Sequence, residues 1–139
     1  MRTLSSASIV SLLCAASVWL FVAPQLIRSG VVEPGPFFEL MVVLPTPIGL
    51  IAAVVGAVAG LVVLVRRRVP LWPGPLLLAL GQLVTVGLGI AILVWALAFP
   101  TTGWELLVLP AAVMLGQMIV AAGFVAARLR RRRPIAAGA

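Results

Sequence analysis

The chain of 139 residues contains no His, Asp, Lys, Asn or Tyr and only one Cys. Each absence removes a class of chemistry. Without His or Asp there is no Ser-His-Asp triad and no bis-His haem ligation, and a single Cys cannot complete an ordinary zinc site. Cys14 has no partner for an intramolecular disulfide, and its place inside an apolar run marks it as a small packing residue. All ten basic residues are Arg, and the missing Lys, Asn and Tyr share AT-rich codons, so the pattern points to a GC-rich bacterial genome. No catalytic residue, cofactor or metal site is expected, and the chain does not read as an enzyme.

Charge is also scarce. With 63% hydrophobic and 9% charged residues, the chain lacks the polar shell that a soluble domain of this size requires. What it has instead is four apolar runs, near residues 7–26, 46–65, 76–98 and 104–127. Each has about 20 residues or more, enough at about 1.5 Å per residue to cross a hydrocarbon core of about 30 Å. The alternating segments of a membrane β-barrel are absent, and lipid forces every backbone group to be satisfied internally, so the runs must be helical. The expected fold is all-α: an integral membrane protein built as a four-helix transmembrane bundle, one membrane domain over residues 1–139.

The arginines orient it. Arg2 precedes the first run; residues 27–45 carry Arg28, Glu33 and Glu39; the next connection carries Arg66, Arg67 and Arg68. The third connection holds Glu105 and no base, and the tail 128–139 holds Arg128, Arg130, Arg131, Arg132 and Arg133. Basic residues thus alternate from side to side, which predicts an N-in/C-in topology with residues 27–45 as a short extracytoplasmic cap. Cleavage of a signal peptide after Ala23 would leave Pro24 as the first mature residue, with the bulky Phe21 in a small-residue position, so an uncleaved first helix is expected. The expected location is a bacterial inner membrane, crossed several times.

Local signals refine the picture. Helix one is expected to end near Pro24, and the Pro and Gly residues of 28–36 predict a loop. Residues 37–44 read either as an interfacial helix or as an extension of helix two. Pro45 and Pro47, with Thr46 as an N-cap, favour the interfacial helix. Small residues fall on single helical faces: Gly49, Ala53, Gly56 and Gly60; Gly81, Thr85 and Gly89; Ala112, Gly116 and Gly123. Such faces let backbones approach closely in lipid. Packing within the bundle is the favoured reading, ahead of a seam for a second copy or a partner subunit.

The polar inventory inside the runs is Gln82, Thr85 and Gln117, the two glutamines differing in depth by about 5 Å on antiparallel neighbours. An interhelical hydrogen bond that fixes helix rotation, worth about 0.6–2 kcal/mol, is favoured over a neutral polar pathway. No ionisable residue is expected near the bilayer centre, where proton-exchanging carriers need one. The Arg clusters lack aromatic interleaving and a supporting domain, so no nucleic-acid partner is expected. At the cytoplasmic surface they would attract anionic lipid at about 1 kcal/mol per residue. The leading functional expectation is a non-catalytic accessory or assembly subunit of a membrane complex, with a membrane-protein partner or self-association. The alternative is a small homo-oligomeric channel or carrier lined by Gln82, Thr85 and Gln117. Third comes an outward-facing enzyme using Glu33, Glu39 or Glu105.

Overall fold

A computed structural model describes residues 2–30, 32–33, 35–66, 73–99 and 105–131, with backbone alone at 105–112 and 130–131. Its elements are α1 (Arg2–Ser29), a π-helical turn (Glu39–Val43), α2 (Pro45–Arg66), α3 (Pro73–Ala98) and α4 (Glu105–Arg131), with no strand among the described residues. Three stretches are long and apolar enough to cross a membrane: Arg2–Ser29, Glu39–Arg66 and Pro73–Ala98. The fourth helix has 27 residues, of which Val113–Leu129 is a described apolar stretch. The protein is a helical membrane bundle.

Consecutive helices are antiparallel neighbours. Contact is most extensive between α3 and α4, then α1 with α2 and α2 with α3; α4 and α1 close the ring more sparsely, and the α1–α3 diagonal contact is small. One end of the bundle carries Arg2, Arg66 and Arg128 and is called the arginine end; the other carries Gly30 and residues 35–44 and is called the cap end.

The burial pattern is inverted relative to a soluble protein. On α2 the buried residues include Ala52, Ala53, Gly56, Ala57 and Gly60, whereas Ile51, Val54, Val55, Val58, Val62 and Val65 face outward. Lipid solvates large aliphatic side chains as well as a protein core does, so burying them gains little. Small residues bring backbones together and gain dispersion contacts instead.

The helix ends depart from the sequence expectations. Pro24 lies inside α1, which continues to Ser29. An internal proline removes one hydrogen bond without stopping a membrane helix whose neighbours hold it. The helix stops at Gly30, whose φ of 68° lies in the left-handed region and whose N–H returns to Leu26 O at 3.0 Å. Glycine takes this conformation without the steric cost of a Cβ.

Residues 37–44 do not form a separate interfacial helix. They lead directly into α2, so the cap is shorter than 27–45. Leu44 N–H bonds Glu39 O, five residues back, at 2.9 Å, which widens the turn. Pro45 has no N–H to offer Met41 O, and Ser17 Oγ of α1 donates to that carbonyl at 3.3 Å. Thr46 does not act as an N-cap: its hydroxyl donates back to Val42 O. Phe38 packs edge-on against Phe21 with ring centroids 6.0 Å apart, while Phe37 is exposed. Where the two prolines led to the expectation of a break, the chain makes a π-turn that runs into Pro45 and is stitched to α1.

Candidate functional site

The arginine half of the bundle is closed by close backbone packing. Along α3, Gly74, Leu78, Gly81 and Thr85 recur at spacings of four, three and four. They meet Ala127, Gly123, Val120 and Gly116 of α4 in reverse order. This is the spacing of a heptad seam. A Cβ at Gly81 would stand 2.6 Å from Val120 Cγ2 and 2.7 Å from Gly116 O; one at Gly116 would overlap Thr85 Oγ1 and lie 2.7 Å from Thr85 N. Gly60 of α2 meets Ala79 of α3, with only 2.7 Å left between a Cβ there and the Ala79 Cβ. Leu4, Leu78 and Val120, with Ala59 and Phe124 against them, fill what remains.

The small-residue faces are thus occupied within the bundle. Gly49 faces Cys14 of α1, Gly56 faces the Gln82 side chain, Gly60 faces Ala79, and Ala53 is fully buried. Gly89 is buried, and a Cβ there would meet only Leu50 Cδ1 among the described residues, at 3.3 Å. The GxxxG of α2 is no free seam for a second copy. Ala112 falls where side chains are not described.

Above the packed half lies a layer of five buried polar side chains: Ser8 and Ser11 of α1, Gln82 and Thr85 of α3, and Gln117 of α4. The two glutamines, expected to meet each other, meet through Ser11. Gln82 Nε2 donates to Ser11 Oγ at 2.8 Å and lies 3.2 Å from Ser8 Oγ. Ser11 Oγ lies 3.1 Å from Gln117 Oε1, as a donor, and 3.2 Å from Ser8 O, an alternative acceptor. Gln117 Nε2 donates to Thr85 Oγ1 at 3.0 Å, and Thr85 Oγ1 donates to Gly81 O at 2.9 Å. Three helices are joined by one chain of neutral hydrogen bonds. Gln82 Oε1 is buried without a partner among the described residues. An orphan of this kind costs about 1–3 kcal/mol, which makes Gln82 the least satisfied member of the layer.

Ser8 and Ser11 were the residues that sequence reasoning missed as a pair. Serine in an apolar helix usually bonds its own backbone, so it carries little signal. The available signal was positional: Leu4, Ala7, Ser8, Ser11, Ala15, Val18 and Val22 recur at three- and four-residue steps and form the buried face of α1.

Toward the cap end the layer forms the floor of a cavity of about 240 Å³. Ser11, Thr85 and Gln117 supply the polar floor; Cys14, Val18, Trp19, Leu50, Leu93 and Val113 are among its walls, and Val42 of the π-turn lines it too. Gln82 does not line it, so the three residues expected to share a pathway are divided between the floor and the packing beneath.

The described charged side chains lie elsewhere. Glu33 and Glu39 are exposed, as are Arg2, Arg66 and Arg128. Arg130 and Arg131 lie in the last turn of α4. The Glu105 side chain and the whole of Arg67, Arg68, Arg132 and Arg133 lie outside the described part. Among the described residues no group of three His, Cys, Asp or Glu side chains comes together. The chain matches no protein-family model, no curated protein and no solved structure.

Proposed function

We propose that this protein is a non-catalytic accessory or assembly subunit of a bacterial inner-membrane complex. It crosses the membrane four times with both termini and the arginine end in the cytoplasm. The observation that carries the reading is the polar layer. Each of its five side chains is engaged with another helix, and none is ionisable. Buried polar groups used this way fix helix rotation, which suits a subunit that must present a constant surface. The arginines at the cytoplasmic face would hold anionic lipid, each adding about 1 kcal/mol.

Extraction of the tagged protein from its native membrane in mild detergent, followed by intact-complex mass measurement, tests this. A stoichiometric foreign subunit is expected. A clean homo-oligomer or monomer would count against the accessory role. Because Gly56 and Gly60 pack inside the bundle, bulky residues there are expected to loosen the fold itself, with partner loss only as a consequence.

One observation favours a second reading, a carrier or channel for a neutral solute: Thr85 and Gln117 face a cavity. Under that reading Gln117→Leu abolishes solute-driven swelling of vesicles while the fold persists. Under the accessory reading no swelling above protein-free vesicles occurs to begin with.

A further inference from the structure

The cavity at the cap end has features that helix packing does not require. Its floor is polar and its walls are apolar. At about 240 Å³ it exceeds the roughly 150 Å³ engineered cavity that stays dry and takes up benzene. From the level of Ser11 and Thr85 to that of Trp19 and Leu93 it runs eight residues along α1 and α3, about 12 Å. It is therefore elongated along the bundle, with its polar groups at one end.

Gln117 decides what fits at that end. A primary amide offers two N–H donors and two acceptor lone pairs. Gln117 uses one N–H toward Thr85 and one lone pair toward Ser11. One donor and one acceptor remain on a side chain that is 1% exposed and lines the cavity. A hydroxyl group is matched to this pair, because it accepts one hydrogen bond and donates one. A carboxylate or an ammonium group is a poorer match: among the described residues no Arg or Glu lines the cavity, and an unpaired charge against apolar walls carries a large desolvation cost. An alkane fills the walls but leaves the amide unanswered.

We propose that this cavity binds an uncharged amphiphile, with its hydroxyl on the Gln117 amide and its apolar chain along Val18, Leu50 and Leu93 toward the cap end. The site is independent of the accessory reading, since a ligand here needs no partner subunit and no passage across the membrane. The π-turn belongs to the site because Val42 forms part of the wall and Ser17 ties that turn to α1. Irregular turns of this kind are frequent where a helix makes room for a ligand.

Cys14, the only cysteine in the chain, is half-buried and lines the cavity, so the unmodified protein carries its own reporter. The test is the rate of Cys14 alkylation by N-ethylmaleimide in phosphatidylcholine vesicles, measured with 1-decanol, decane or decyltrimethylammonium at equal bilayer mole fraction. Decanol is expected to slow alkylation about three- to tenfold more than either of the others, the range of a single net hydrogen bond. In Gln117→Leu the decanol advantage over decane is expected to vanish. Gly89→Leu leaves the polar layer intact and points a side chain into the cavity, since Gly89 lines it and, among the described residues, a Cβ there meets only Leu50 Cδ1 at 3.3 Å. In that variant alkylation is expected to be slow without any additive, and decanol to add nothing. Equal protection by all three compounds overturns the proposal, because that is a bulk lipid effect. So does an unchanged decanol effect in Gly89→Leu, and so does a Cys14 that never reacts in the additive-free protein, since the site must be reachable from the bilayer.

Discussion

At the arginine end, α3 and α4 touch backbone to backbone, with Gly81 and Gly116 so placed that neither admits a Cβ. At the cap end, a Cβ on Gly89 of the same helix α3 would meet a single atom among the described residues, and a cavity of about 240 Å³ separates the helices. The two halves use the same residue type to opposite ends. In one, glycine removes a side chain so that two backbones can close. In the other, it removes a side chain and the space is left open. The sequence of the neighbours makes the difference. Leu4, Leu78, Val120 and Phe124 fill the arginine end, whereas the cap end is built around Pro45, the π-turn and the small residues Ala15 and Gly89, with Gly49 alone closed against Cys14. The polar layer of Ser8, Ser11, Gln82, Thr85 and Gln117 marks the boundary.

The largest effect on the packed half is expected from Gly116→Ala. Its Cβ collides with Thr85 backbone and side chain together, and the backbone cannot swing away, so the expected loss is about 3 kcal/mol or more in reversible unfolding from mixed micelles. Gly60→Ala comes next. Its clash is with the Ala79 Cβ and Cα, and a small separation of α2 from α3 relieves it at about 1–2 kcal/mol. The boundary layer is tested by a double-mutant cycle of Ser11→Ala and Gln117→Leu. A coupling of about 0.6–2 kcal/mol is expected, because each residue retains other bonds when the first is removed. The smallest effect is at Gly87, whose Cβ would meet nothing within 4 Å. Gly87→Ala is expected to be neutral or to stabilise by up to about 1 kcal/mol through helix propensity, read as the unfolding midpoint of the same micelle titration.

Much of this architecture is legible before any coordinates. The helices follow from the apolar runs because lipid leaves the backbone no other partner. The small-residue faces of α2 and α3 follow from the helical period. What periodicity lacks is the identity of the opposing face. The pattern of Gly56 and Gly60 favoured packing within the bundle but fitted a self-association seam as well, and the placement of Gln82 and Ala79 against them supplies the opposing face. The π-turn was illegible for a related reason. Pro45 announces a lost hydrogen bond, but the replacement donor, Ser17, lies on another helix, 24 residues earlier in the chain from its acceptor Met41. The cavity has no sequence signature at all, since it arises from what four helices together fail to fill.

Whether the polar layer separates a closed half of the bundle from an open one can be read from thiol accessibility in a Cys14→Ala background. N-ethylmaleimide alkylation is compared at Val18→Cys, on the cavity wall, and at Val120→Cys, fully buried in the packed half. At least about tenfold faster reaction at position 18 is predicted, because position 120 becomes reachable only when the helices part. Equal rates at the two positions, or a faster rate at 120, would contradict the account.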